Sequence, residues 1–156
     1  MSVDPTVEHT GQAALRKAMH DLLRGGTVVV LATVSPEDVV STALCSWIVA
    51  KGSHRLALAL DMRSSAYTSI AAGSDRVALE VMGDEILLSI RGKATIEQET
   101  LDSVPFPCAL ACVDVDEIRD HMIEGLQFHG PRHKYSSGKE YRADVERKIF
   151  EELERA

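Results

Sequence analysis

The stretch that most narrows the fold runs from Glu85 to Ile96. Ile86, Leu88, Ile90, Gly92, Ala94 and Ile96 follow one parity, and Glu85, Ser89, Arg91, Lys93 and Thr95 the other. Residues two apart share a face only in extended chain, so the pattern predicts a long strand and excludes a helix. A strand polar along one side suits an antiparallel sheet with one wet face, or a barrel whose other face lines a pocket.

The rest of the chain supplies partners for that strand. TVVVLATV (27–34) is apolar and β-branched, as a central strand should be. Ser35-Pro36-Glu37-Asp38 forms a turn, and VVSTALCSWIVA (39–50) reads as a second long strand. Leu56, Leu58 and Leu60 mark a third strand, and Val77, Leu79 and Val81 a fourth that turns at Gly83-Asp84 into the long one. After a loop with Pro105 and Pro107, CALACVDV (108–115) is the last strand, and Asp116 is expected to cap a helix to Leu126. A short helix is expected over 66–73. Another carries Leu15, Ala18, Met19, Leu22 and Leu23 on one face and ends at Gly25-Gly26. Ser137 with Glu140 has capping-box spacing and predicts a C-terminal helix over 137–156. Residues 1–11 read as a flexible arm. The fold class is α+β: a mainly antiparallel sheet with helices at its two ends.

The 156 residues are the length of a single domain, expected to span 1–156. A net charge of −7 repels phosphate backbones, so neither nucleic acid nor an anionic membrane is an expected partner. Cys45, Cys108 and Cys112 are odd in number and fall in strand-like segments, as reduced buried thiols do. The opening MSVDPTVEHT carries acids and a proline where a signal peptide is expected to have basic residues and an apolar core, and no apolar run of about 18 residues offers a membrane span. The expected location is cytoplasmic.

Four places could carry chemistry. Arg63-Ser64-Ser65 stands between a strand and a helix, where a guanidinium and hydroxyls would suit a phosphate; Ser64 or Ser65 as a simple N-cap is the plainer reading. Trp47, the single tryptophan, would wall a flat ligand's pocket or fill the core. Cys108-x3-Cys112 and His129-x3-His133 have a zinc-like look. The 16 residues between the pairs and the helix-breaking Gly130-Pro131 argue against a metal site, and none is expected. QFHGPRHKY (127–135) would serve as a pocket lid, an anion contact or a polar surface loop. No dinucleotide or nucleotide-phosphate loop motif occurs.

Taken in order, LATVSPED, SWIVAKG, LALALDMRSSAYTSIAAGSDRVALEV and ILLSIRGKATIE resemble the flavin-binding split barrel of the pyridoxamine 5′-phosphate oxidase-like family. The likeness lies in residues 27–96 and agrees in element order over 27–126. It implies a six-stranded antiparallel split β-barrel with flanking helices. It further implies a homodimer with two sites across the interface, each binding flavin mononucleotide (FMN). Ser46, Trp47, Ile48, Val49 and Lys51 would follow the ring and ribityl chain, with Leu60 and Asp61 beside them. Arg63, Ser64 and Ser65 would meet the phosphate at the strand-to-helix turn.

The sequence also departs from that family. Ser65 and Ala66 stand where the oxidases carry a basic pair, Leu87 replaces a flavin-contacting glutamine, and the C-terminal substrate motif is not recognisable. Pyridoxamine phosphate oxidation is therefore not expected, and Lys51 and Arg63 are the cations left to meet a phosphate. The resemblance points to a flavin-dependent oxidoreductase of another small molecule, its redox chemistry supplied by the cofactor. Two alternatives stand beside it. One is a non-catalytic, stress-associated binding module with a degenerate pocket. The other is a split barrel for haem, with His129 or His133 as ligand, or for the deazaflavin F420.

Overall fold

The computed structural model describes residues 8–10 and 17–156. Its strands are β1 (Glu8–Thr10), β2 (Val29–Val34), β3 (Val40–Cys45), β4 (Ile48–Lys51), β5 (Arg55–Asp61), β6 (Arg76–Gly83), β7 (Ile86–Gln98) and β8 (Cys108–Asp120). Its helices are α1 (Lys17–Arg24), α2 (Ser65–Ala71) and α3 (Arg142–Arg155). Every strand pairing is antiparallel. Seven strands follow the order β3-β2-β6-β7-β8-β5-β4, and β1 pairs with β8 off that path. The expected count of six is thus too low.

The added strand on the path comes from 39–50, which breaks at Ser46-Trp47 into β3 and β4. That break closes the sheet. β3 and β4 are its two opposite edges, yet only two residues join them, so the sheet must curl until its edges nearly meet. Side chains from both halves accordingly share one core inside the curl: Val29 and Leu31 of β2, Leu56 and Leu58 of β5, Leu79 of β6 and Ile90 of β7. Met19 and Leu23 of α1 close this core; Leu15 and the Ala18 side chain lie outside the described residues.

β5 is buried on both faces. Leu56, Leu58 and Leu60 point into the curl, while Ala57 and Ala59 face a second cluster with Ile149, Phe150 and Leu153 of α3. Small alanines at the alternate positions let the helix approach the sheet closely.

β8 runs to Asp120, and the helix expected from Asp116 to Leu126 does not form. A bulge explains the misreading. Gly92 pairs with Val115 and Arg91 with Glu117, which leaves Asp116 as the extra residue. The bulge shifts the strand's phase, so Val115 and Ile118 both turn inward at a spacing of three that imitates a helix. Gly92 is required there, because a Cβ would run into the Asp114 carbonyl oxygen.

At the tail, α3 starts at Arg142 with Tyr141 as N-cap and no side-chain cap bond, so Ser137 and Glu140 do not form the expected box. Gly138, at φ +81, takes the left-handed conformation between them and breaks the geometry a box needs. Ile149, Phe150 and Leu153 are buried as expected. Of the expected arm 1–11, residues 8–10 pair with β8 as β1, and the rest lies outside the described residues.

Candidate functional site

The seam where the sheet edges approach one another holds a cleft of about 230 Å³. The end of β3 and the Ser46-Trp47 corner form one side, and Ala59, Leu60 and Asp61 of β5 the other. Ser64, Ala66, Phe106 and Cys108 complete the lining. Trp47 and Phe106 pack with ring centroids 5.8 Å apart and planes tilted by 33°. The Trp47 Nε1–H is shielded from solvent and has no acceptor among the described residues. An unmet buried donor costs about 1–3 kcal/mol, so it stands out in a lining otherwise well satisfied.

The strand-to-helix turn is tightly bonded within itself. Asp61 takes the Arg63 guanidinium in a forked pair, Nε to Oδ1 at 3.0 Å and Nη2 to Oδ2 at 2.8 Å. The Arg63 backbone N–H adds a third bond to Oδ1 at 2.8 Å. Hydrogen bonding from Arg63 holds the Asp61 carboxyl below its ordinary range. The guanidinium also lies over Phe106, 5.4 Å from the ring centroid. Ser64 is the N-cap of α2: its Oγ accepts from the Tyr67 N–H at 3.1 Å and donates to the Asp61 carbonyl at 2.6 Å. The capping reading of this serine is therefore correct, and its hydroxyl is committed locally.

Two thiols line the cleft, and burial disfavours the thiolate of each. Burial pushes Cys45 up to about 12 and Cys108 up to about 11, so both stay protonated at neutral pH. All three cysteines are free. Cys108 and Cys112 are buried on β8, whereas His129 and His133 sit in the connection to α3. Among the described residues no three His, Cys, Asp or Glu side chains are grouped closely enough to hold a metal ion. No described helix is long and apolar enough to cross a membrane.

The cleft gathers Ser46, Trp47, Leu60, Asp61 and Ser64 from the residues expected to bind cofactor. The others lie elsewhere. Ile48 and Val49 are buried in the two hydrophobic clusters, and Lys51 donates from Nζ to the carbonyl of Ala156. Arg63 and Ser65 are exposed at the turn. His133 lines a separate cavity beside Trp47, and His129 is exposed. The sequence reading missed Phe106, whose signal was an aromatic held between Pro105 and Pro107.

No protein-family model matches the sequence, and no curated protein is similar enough to match it. Solved structures do match. A Lactobacillus delbrueckii protein provisionally assigned as a pyridoxamine 5′-phosphate oxidase is 19% identical, with a TM-score of 0.58 over 72% of this chain and 97% of that one. An FMN-binding protein from Syntrophomonas wolfei is 13% identical, with a TM-score of 0.51 over 67% of this chain and 85% of that one. An F420 reductase is 18% identical, with a TM-score of 0.51 over 67% of this chain and 98% of that one. What the chain shares with these structures is its fold, a curled antiparallel sheet with flanking helices.

Proposed function

We propose that this chain is a flavin-binding protein, with FMN as its cofactor, that acts as a homodimeric oxidoreductase on a small molecule. The observation that carries the reading is the aromatic seam cleft with its unmatched indole N–H. Flat cofactors are held by apolar walls with few polar points, and an acceptor on the ring edge would satisfy the Trp47 donor. Trp47, Leu60 and Phe106 would flank the ring, and Ser46 would meet its polar edge.

The phosphate end fits less completely. Ser64 is committed to capping, and Arg63 is already paired with Asp61. The exposed Arg63 would meet a phosphate by exchanging one anionic partner for another.

A second copy of the chain completes the site in this reading. The cleft is smaller than the roughly 300–1,000 Å³ of a typical small-molecule site. Its lip carries Leu44, which is 72% exposed on the edge strand β3 beside Val40 at 68%. An edge strand with large apolar side chains is a pairing surface.

When bound, flavin supplies the redox chemistry: it accepts a hydride and passes the electrons on. The chain's own residues position the ring and exclude water from it. No side chain in the cleft is placed as a general acid or base, because the thiols are held protonated and Asp61 is held ionised by Arg63. The test is the visible spectrum after loading with FMN and desalting. Retained flavin absorption is expected, and a colourless protein would overturn the cofactor.

A further inference from the structure

The aromatic wall of the seam cleft stands on a loop, and that loop is gripped from outside the cleft. Phe106 lies within residues 99–107, which join β7 to β8. At the start of the loop the Tyr67 hydroxyl donates to Glu99 Oε2 at 2.5 Å, and the Leu101 N–H to the Cys108 carbonyl at 2.9 Å. At its end the Met62 N–H donates to the Pro107 carbonyl at 3.0 Å. Between these anchors the chain turns, and its amides have no strand to pair with.

Glu152 of α3 meets them. Its Oε2 accepts from the Asp102 N–H at 2.9 Å, and its Oε1 from the Ser103 N–H at 2.9 Å and the Ser103 hydroxyl at 2.5 Å. Burial alone would raise this carboxyl, yet the bonds from Ser103 and Asp102, with Arg155 nearby, hold it below its ordinary range. The ionised form is therefore the one that grips the turn. Apolar contacts run the same way. Leu101 and Val104 are buried with Ile149, Phe150 and Leu153 of α3, and Trp47 and Phe106 pack against the same cluster. The helix is fixed in turn at its end, where Arg24 pairs with Glu154 at 2.8 Å and Lys51 donates to the Ala156 carbonyl.

We infer that Glu152 is a positioning residue of the seam cleft: it holds the Asp102-Ser103 turn, and through that turn sets Phe106 against Trp47. Two oxygens on three donors fix the turn in both place and rotation, which a single bond would not. Only Val104 and Pro105 separate the gripped turn from the ring. Loss of the carboxylate frees the turn, so Trp47 loses its cover and the cleft its second wall. That this wall receives a flavin rests on the reading above, whereas the positioning of Phe106 does not.

Trp47 is the single tryptophan, so its emission reports the cover that Phe106 gives it. The experiment measures acrylamide quenching of the full chain without cofactor, then FMN affinity by fluorescence titration. Glu152→Ala is expected to raise the quenching constant severalfold and to weaken FMN binding about tenfold. Glu152→Gln is expected to recover part of both, because one acceptor oxygen remains. In a Phe106→Leu background, Glu152→Ala is expected to change neither quantity further, whereas a general loss of packing would add to the first substitution. Should Glu152→Ala fail to fold, Ser103→Ala removes the hydroxyl bond alone and is expected to shift quenching the same way by less.

Unchanged quenching in the folded variants, or an undiminished effect of Glu152→Ala in the Phe106→Leu background, would overturn the proposal. Quenching that shifts as expected in a protein that never retains FMN would remove the flavin reading alone. Retained FMN with unchanged quenching would remove this proposal alone.

Discussion

Asp61 and Arg63 define the balance at the phosphate end of the cleft. The carboxylate takes both guanidinium edges, so an incoming phosphate competes with it for the same donors. Replacing Asp61→Asn removes the competing charge and is expected to tighten FMN binding about three- to tenfold, whereas Arg63→Ala is expected to weaken it by a similar factor. Fluorescence titration with FMN checks both, and weakening by both variants would show that the pair itself positions the cofactor. At Cys45 the sign runs the other way. Burial raises its pKa from 9.0 to about 12, so the protonated thiol is the form that folding favours. Its contribution to stability is full below pH 9.0 and is lost as pH climbs toward 12. A thiol titrating at about 12 instead of 9.0 has a thiolate fraction at neutral pH roughly a thousandfold smaller. Timed alkylation with mass spectrometry at neutral pH should find Cys45 nearly inert in the folded chain and reactive in denaturant.

Among the elements, β7 and β8 hold the two halves of the curl together, and their bulge is the feature most exposed to substitution. Gly92→Ala forces a methyl group against the Asp114 carbonyl and is expected to cost about 1–3 kcal/mol, read as a fall in Tm. Ala94→Gly, two pairings along, removes a buried methyl without any clash and serves as the comparison. This region also shows what the sequence could and could not tell. The alternation from Ile90 to Ala94 was legible because a plain strand repeats every two residues. Asp116 was misread because a bulge resets that phase, and its effect depends on the partner strand rather than on neighbouring residues. The turn at Ser64 was legible because capping is local chemistry. The break at Ser46-Trp47 was not, because an apolar run gives no sign that the chain is crossing between two edges of a closing sheet. The same limit hid the division of SWIVAKG. Ser46 and Trp47 line the cleft, while Ile48 and Val49 enter the core and Lys51 reaches the C-terminal residue.

At the scale of the whole molecule, the cleft and the edge strand that flanks it belong together. Val40 and Leu44 leave apolar surface in water beside an incomplete pocket, and a second copy burying that surface would meet both needs at once. Leu44→Asp places a charge in the proposed contact. It is expected to shift the chain toward monomer in size-exclusion chromatography with light scattering, and to weaken FMN retention with it. A variant that stays dimeric and binds FMN as before would separate the cleft from any subunit contact. Everything in this reading turns on the seam cleft holding a flavin. The direct measurement is the visible absorption of the protein peak after incubation with FMN and size-exclusion chromatography. Flavin absorption is expected to co-elute with a dimer, together with quenched Trp47 emission. Flavin eluting entirely in the small-molecule fraction, with Trp47 emission unchanged, would contradict it.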